Sequence, residues 1–303
     1  SNKKIEKTDG RKEMNFTFIV PEDHDGQRLS DFIRGRGVSS RLWKKVKWQG
    51  TVCINGEPCH HAKTRLHAGD KVTASWEEEN DIVPAHIPIS VIYEDEWLLL
   101  VNKGPHMIIH PTSKEHYDTL VNAVAGYLEE KGEAAGVHPI YRLDRNTTGL
   151  VLVAKSSKVQ HDLSKSHDRI YREYVALASG VFPEKEGMVD APIGRKDGSI
   201  IEWTVRSEGK PARTDYRVLQ QMEDFALLRL HLHTGRTHQI RVHMAHIHHP
   251  LLGDDLYGTA DSRIDRQALH AEMIRFIHPE TGEEMEFHAP IPADMLFWKG
   301  DKA

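Results

Sequence analysis

The apolar run GLVLVA at residues 149–154 constrains the fold of this chain more than any other segment. A run without polar side chains predicts a strand that is buried on both faces. Further strand patterns lie at residues 89–93, 97–102, 171–178, 200–205, 212–219 and 225–233. Helical spacing of apolar residues occurs at residues 119–128, 159–167 and 237–246. This larger part of the chain is therefore predicted to be α+β.

The first 75 residues predict a compact module of two helices and a small sheet. Helical spacing at residues 28–36 is followed by SSRLWKKVKWQG at residues 39–50, whose serines can cap a second helix. The segment TVCINGEP at residues 51–58 alternates like a strand and contains Asn-Gly, a strong hairpin signal. Short strands are also predicted at residues 15–20 and 66–75.

An acidic stretch without periodicity, EEENDIVPAHIP at residues 77–88, predicts a linker. It separates a small domain at residues 14–76 from a larger one at residues 89–303. The two parts differ in charge. Residues 1–75 contain 15 Lys and Arg against 9 Asp and Glu, a net charge of +6, whereas residues 76–303 carry −11.

The net charge of the whole chain, −5, argues weakly against a nucleic-acid-binding protein, but its distribution points the other way. A basic segment at one end predicts contact with a polyanion. Chance variation of surface charge would produce the same asymmetry. The second predicted helix has a basic face interleaved with Trp43 and Trp48, and this face consists of Arg41, Lys44, Lys45 and Lys47.

Asp144 is the first candidate for chemistry. It lies in the turn-like segment DRNTTG directly before the apolar run and is flanked by Arg142 and Arg145. A carboxylate at the edge of the core beside two cations should stay ionised. The local pattern alone favours a simpler interpretation, a turn-capping aspartate in a surface ion pair.

The second candidate is a segment at residues 232–258 that is dense in polar side chains. Its members are Arg236, His238, Gln239, Arg241, His243, His246, His248 and His249. Such a set usually serves binding or catalysis, and seven histidines between His231 and His249 leave metal binding as an alternative. We nevertheless expect no metal, because there is no H-E-x-x-H motif and Cys53 and Cys59 are spaced unlike a zinc knuckle.

Tyr174 is the third candidate. It alternates with apolar residues in RIYREYVALASG, so packing in the core is its default interpretation. A tyrosine on the wet face of such a strand can instead stack on a nucleic-acid base.

Two long segments resemble the central motifs of the RluA family of pseudouridine synthases, which isomerise uridine in RNA. They are YRLDRNTTGLVLVAK at residues 141–155 and GRTHQIRVHMAHIHHPLLGDDLYG at residues 235–258. Residues 268–295 are similar to the closing segment of the family. The segments QRLSDFIRGRG, SSRLWKKVKWQGTVCINGE and GDKV resemble the αL RNA-binding domain. The resemblance covers most of residues 14–295 in the same order.

This resemblance implies a catalytic domain with a mixed, largely antiparallel sheet flanked by helices, plus a small N-terminal α/β RNA-binding module. It makes Asp144 the catalytic aspartate and pairs it with Arg241. Arg142 would enter the RNA stack where the target base has left, and Tyr174 would stack on the flipped uracil. The active site would be supported further by Thr148, Arg236, His238 and Gln239, and the basic helical face would bind RNA.

The sequence departs from the family pattern at four positions. Tyr141 replaces the usual His, Thr148 the usual Ser, and Arg172 a common Lys. His248 stands where Gly is common. None of these changes affects the aspartate.

The resemblance implies ribosomal RNA as the substrate, with transfer RNA as the alternative, and a monomer that needs neither cofactor nor metal. Two alternatives remain: a non-catalytic RNA-binding or ribosome-assembly factor on the same fold, and a zinc hydrolase built on the histidines. Retention of Asp144, Arg241 and Tyr174 argues against the first. No apolar run approaches a membrane span. Two cysteines and the absence of a signal-peptide pattern lead us to expect a cytoplasmic protein.

Overall fold

A computed structural model describes residues 12–59, 61–78, 82–112, 117–133, 135–165 and 169–299. Its N-terminal part consists of β1 (Lys12–Ile19), α1 (Leu29–Gly35), α2 (Ser40–Gln49), β2 (Thr51–Ile54), β3 (Glu57–Pro58) and β4 (Lys71–Glu78). The four strands form an antiparallel sheet in the order β1-β4-β2-β3. The hairpin predicted from Asn-Gly is present, with positive φ angles at Asn55 and Gly56.

The helix α2 begins where the sequence predicts, because the Ser39 side chain accepts a hydrogen bond from Leu42 N at 3.0 Å. Its basic residues Arg41, Lys44 and Lys47 are exposed, and Lys45 is half-buried. Trp48 is 78% exposed beside them, whereas Trp43 is buried in the module's core. Only one of the two tryptophans predicted to interleave with the basic face is therefore available to a partner.

The predicted start of the linker, residues 77 and 78, belongs to the last strand of this module. The strand β4 continues to Glu78, and Trp76 is buried in the same core as α1 and α2. Residues 79–81 of the predicted linker lie outside the described residues. The strand predicted at residues 66–75 begins only at Lys71, because the turn at Gly69 and Asp70 precedes it.

The larger part of the chain forms a ten-stranded sheet among the described residues, together with three α-helices and a two-stranded hairpin. In chain order the elements are β5 (Ser90–Glu94), β6 (Leu98–Lys103), α3 (Leu120–Glu130), β7 (His138–Pro139), β8 (Thr148–Ala154), α4 (Ser157–Lys165), β9 (Tyr171–Ser179), β10 (Glu186–Asp190), β11 (Ile193–Arg195), β12 (Trp203–Val205), β13 (Arg213–Gln221), β14 (Phe225–Leu232), α5 (Gln239–His246), β15 (Leu269–Ile277) and β16 (Glu284–His288).

The sheet follows the order β10-β13-β14-β9-β15-β8-β6-β5, with β16 paired to β15 and β7 to β8. Of the strand pairs in the described residues, β8 and β15 run parallel and the others antiparallel. The strand β8 is buried along its whole length, as the apolar run predicts. The α+β class and the mixed, largely antiparallel sheet are confirmed.

Two predicted elements have other bounds than expected. The strand predicted at residues 200–205 is formed only by β12, because Ile200 is 90% exposed in the connection between β11 and β12. The predicted helix at residues 159–167 corresponds to α4, which begins two residues earlier, at Ser157, and is described to Lys165; residues 166 and 167 lie outside the described residues. No described helix is long and apolar enough to cross a lipid bilayer.

Candidate active site

Asp144 lies in the turn that precedes β8, where Thr147 N donates to the Asp144 carbonyl oxygen at 3.1 Å. Its side chain is 23% exposed and lines a cavity of about 650 Å³. The chain can continue from this turn into β8 because Gly149 adopts a φ of 113°. A Cβ atom there would clash with the backbone of Ala271 on β15. Only glycine therefore allows the turn to approach β15 this closely.

Arg241 on α5 connects Asp144 to a second, fully buried carboxylate. Its Nη1 donates to Asp144 Oδ2 at 3.2 Å, and its Nε and Nη2 donate to the two oxygens of Asp254 at 2.8 and 2.9 Å. Burial lowers the pKa of Arg241, but the hydrogen bonds and charges of both aspartates outweigh it and raise this pKa above its usual value. Arg241 is therefore a fixed cation. Asp254 binds two of its nitrogens, and the third nitrogen, Nη1, faces Asp144.

His238 forms the other side of the Asp144 site. It caps α5 in the left-handed conformation, with φ of 56°, and its Nε2 lies 3.9 Å from Asp144 Oδ1. Its Nδ1 lies 2.7 Å from the Tyr257 hydroxyl, which accepts a hydrogen bond from Trp203 N at 2.9 Å. Burial lowers the pKa of His238 by more than the charge of Asp144 raises it. His238 is therefore neutral at neutral pH and adds no second cation at Asp144.

Tyr174 on β9 forms the apolar wall of the cavity and is buried. Its hydroxyl oxygen accepts a hydrogen bond from Arg172 Nη1 at 3.4 Å. The guanidinium carbon of Arg172 lies 4.4 Å from the ring centroid of Tyr141, whose hydroxyl donates to the Leu150 carbonyl at 2.9 Å. Burial raises the pKa of Tyr174, so the ring is a neutral phenol that can cover an aromatic base.

The structure brings every predicted active-site residue except Thr148 to this cavity. Those that line it are Asp144, Arg142, Tyr174, Arg236, His238, Gln239 and Arg241. Arg142 is exposed, whereas Gln239 is buried and uses its side-chain amide to hold the loop, donating to the Arg213 carbonyl at 2.9 Å. Thr148 lies behind the turn that carries Asp144, with its hydroxyl 2.8 Å from His270 Nδ1.

Sequence reasoning missed Asp254 and Tyr257 as members of the site. Both lie within the second motif, in the segment LLGDDLYG, but no spacing rule distinguishes Asp254 from its neighbour Asp255. Asp254 contacts Arg241, and Tyr257 contacts His238, because the loop after α5 brings these residues together. The resemblance of residues 235–258 to the family motif was the one signal that could have pointed to Asp254 and Tyr257.

Two buried basic side chains hold the turn that carries Asp144, and the sequence analysis singled out neither. Lys103 Nζ donates to the Arg145 carbonyl at 3.0 Å and to two further carbonyls beside its own strand. Burial lowers the pKa of Lys103 to about 7. Arg266 Nη1 donates to the Asn146 carbonyl at 3.0 Å, while Nε binds Asp294 at 2.7 Å. A lone basic residue in or near a strand carries no sequence signal of such burial.

The histidines at residues 231–249 do not form a metal site in the described part of the chain. No group of three or more His, Cys, Asp or Glu side chains is arranged there to hold an ion. His231 stacks on Tyr171 with ring centroids 4.2 Å apart, and His243 lies in the core between Thr214 and Ala191. Nothing in this geometry favours a zinc hydrolase.

Several known proteins similar to this chain are named as RNA pseudouridine synthases. The sequence profile of a family described as RNA pseudouridylate synthase matches residues 97–246. The Uncharacterized RNA pseudouridine synthase YjbO of Bacillus subtilis (strain 168) is 41% identical over 273 residues, covering 88% of this chain and 96% of that protein. The Ribosomal large subunit pseudouridine synthase D of Escherichia coli (strain K12) is 38% identical over 303 residues, covering 93% of each protein.

A solved structure shares the fold. The structure of Human RNA Pseudouridylate Synthase Domain Containing 1 superimposes with a TM-score of 0.57 at 26% identity, covering 68% of this chain and 84% of that one. The resemblance carried by the two central motifs is thus confirmed. The chain is an enzyme of the RluA family of RNA pseudouridine synthases.

Proposed function

We propose that this enzyme converts specific uridines of structured RNA, ribosomal RNA foremost, to pseudouridine with Asp144 as its catalytic group. One observation carries the proposal: a partly exposed carboxylate is paired with a fixed arginine inside a cavity that a buried tyrosine closes. Ribosomal RNA follows from the E. coli relative, whose name assigns it to the large ribosomal subunit. Transfer RNA is the alternative substrate.

The target base must leave the RNA stack before it can reach Asp144. Flipping a base costs a few kcal/mol, which contacts in the pocket and at its entrance must offset. A cavity of about 650 Å³ lies within the range of small-ligand sites, about 300–1,000 Å³. Arg142, exposed at this cavity and two residues before Asp144, is positioned to fill the gap in the stack and to approach phosphates.

The reaction moves uracil from a bond through its nitrogen 1 to a bond through its carbon 5. The Asp144 carboxylate can attack carbon 1′ of the ribose or remove the proton from carbon 2′, and either route holds the sugar while the base turns. Nothing is oxidised or hydrolysed overall. The chemistry therefore requires neither a cofactor nor a metal.

The neighbours of Asp144 prepare it for this role. Arg241 keeps the carboxylate oriented, and its own position is fixed by Asp254. His238 is neutral and therefore does not compete with Arg241 as a charge partner. Tyr174 covers one face of the base and, being buried, excludes water from it. Arg236 and Gln239 support the loop that carries these residues, and Thr148 supports the turn from behind.

The N-terminal module adds affinity for RNA. We propose that residues 14–76 act as an αL-type RNA-binding domain, joined by residues 77–88 to the catalytic domain at 89–303. The exposed cations of α2 would bind phosphates, and Trp48 beside them offers a ring for stacking. The two cysteines are free, which fits the reducing cytoplasm. We further propose that one copy of the chain suffices for activity.

Mapping pseudouridines in total RNA tests the proposal. RNA is compared from cells with the protein, without it, and with Asp144→Asn or Asp224→Asn restored. Asp224 is a surface carboxylate paired with Arg263, and it provides the matched control. We expect the missing sites to return with wild type and Asp224→Asn only. Full restoration by Asp144→Asn would refute catalysis by Asp144. No missing site at all would support the non-catalytic RNA-binding factor.

A further inference from the structure

Arg172 is a buried cation in the active-site cavity without a resident counter-charge. It is 7% exposed, lies on β9 and lines the cavity with Tyr141 and Tyr174. Within the described part of the chain, no carboxylate lies within 4.0 Å of its guanidinium. Arg241 and Arg266, which are buried to a similar degree, each bind an aspartate through two nitrogens. A buried cation without an anion is costly, so Arg172 needs a functional reason.

The contacts of Arg172 fix its position but leave its charge available. The Tyr141 ring lies under the guanidinium at 4.4 Å and is itself held by the Leu150 carbonyl. Nη1 donates to the Tyr174 hydroxyl at 3.4 Å. Both tyrosines are neutral, because burial raises their pKa values. The remaining N–H groups of the guanidinium have no hydrogen-bond partner among the described residues, and the side chain forms part of the cavity wall.

We propose that Arg172 is a further catalytic residue, which stabilises the negative charge of the uracil released in the reaction. This inference rests on the proposed function. When the bond between ribose carbon 1′ and uracil nitrogen 1 breaks, both of its electrons remain on the base. The charge spreads over nitrogen 1 and the two carbonyl oxygens. The bond between carbon 1′ and carbon 5 then forms, carbon 5 loses its proton, and nitrogen 1 gains one.

Arg172 and Arg241, the two buried arginines of the cavity, therefore have separate tasks. Arg241 is committed to Asp144 and Asp254, the two carboxylates that already bind it before the reaction begins. Arg172 has no permanent anion, so its interaction is strongest while the free base carries charge. A fixed cation that is shielded from water and directed at a transient charge lowers the barrier without binding the neutral substrate tightly.

Two substitutions of Arg172 separate charge from shape. Arg172→Met keeps the length and removes the charge, whereas Arg172→Lys keeps the charge. We expect Arg172→Met to lower the single-turnover rate on the order of 10²-fold, with RNA affinity and Tm near those of wild type. Arg172→Lys should recover most of this loss. Arg275→Met is the matched control, because Arg275 also stacks on a tyrosine, Tyr171, but lies outside the cavity lining.

A substrate RNA with 5-fluorouridine at the target position provides a readout that does not depend on Arg172→Met folding. Fluorine makes the released uracil more acidic and so a better leaving group that needs less stabilisation. The rate at which the base loses its bond through nitrogen 1 is measured by nucleoside mass spectrometry. The ratio of wild type to Arg172→Lys should be smaller on this RNA than on the uridine RNA.

Equal ratios on the two RNAs would overturn the proposal. So would equal losses in Arg172→Met and Arg172→Lys, or a change in RNA affinity alone. If wild type forms no pseudouridine, the proposed function itself fails. If wild type is active and Asp144→Asn is not, while Arg172 variants keep the wild-type rate, only the role of Arg172 fails.

Discussion

Replacing Asp254 by Asn should destabilise the catalytic domain by about 3 kcal/mol, because it breaks a buried ion pair by removing one partner. Asp254 is 0% exposed and accepts two hydrogen bonds from Arg241, at 2.8 and 2.9 Å. The substitution leaves Arg241, still buried, with Asp144 as its remaining carboxylate among the described residues. The ion pair of Asp224 with Arg263 is the surface control for this buried pair, because the Asp224 side chain is 60% exposed. Asp224→Asn should cost less than about 1 kcal/mol.

Urea unfolding of the full chain, followed by circular dichroism, measures both free energies. The rate of pseudouridine formation is measured beside them, and Asp254→Asn should lower it on the order of 10²-fold while RNA affinity is retained. The loss arises because Arg241 no longer holds Asp144 in one geometry, and small displacements of a catalytic group are costly. A stability change for Asp254→Asn no larger than that for Asp224→Asn would refute the reasoning, and so would a wild-type rate.

Three further predictions concern other parts of the structure. Burial lowers the pKa of His270 to about 4 from its ordinary 6.5, so the unfolded state binds more protons between these values. The contribution of neutral His270 to the free energy of unfolding should therefore be fully present above pH 6.5 and fall by about 3 kcal/mol toward pH 4. Unfolding of His270→Gln, measured over the same pH range, should lack this contribution. Lys103→Met should lower kcat more than RNA affinity, because the turn loses a donor at Arg145; unchanged kinetics would contradict this role. Charge reversal at Lys44 and Lys45 should weaken RNA binding and flatten its salt dependence by roughly one unit of slope for each phosphate that is no longer neutralised; an unchanged slope would exclude these lysines from the RNA interface.

Local patterns predicted the framework of the catalytic domain well. The apolar run of β8 is buried on both faces, and such a strand can be recognised without knowledge of its neighbours. The polar turn before it, with Asp144, follows from the same boundary. The ends of α2 were also predictable, since the Ser39 side chain accepts a hydrogen bond from Leu42 N at one end and Gly50 N donates to the Val46 carbonyl at the other.

What the sequence could not provide was contact between distant segments. The strand β15 was not assigned from its pattern, since polar residues such as His270 and Glu272 interrupt its apolar ones. The pairing of Arg241 with Asp254 depends on the loop that follows α5, and periodicity does not encode it. The exposed Ile200 misled the prediction of β12, because a β-branched residue favours strands by propensity even where no neighbour pairs with it.

The parallel pairing of β8 with β15 has a consequence for how the enzyme becomes active during synthesis. Thr148 and His270, which meet across this pair, are 122 residues apart in sequence. At about 5–20 residues per second, the ribosome takes roughly 6–24 s to supply the second strand after the first. Throughout that interval the Asp144 turn exists without the strand beside it and without Arg266. The surroundings of Asp144 are therefore completed late in translation, long after the basic helix α2 has been made.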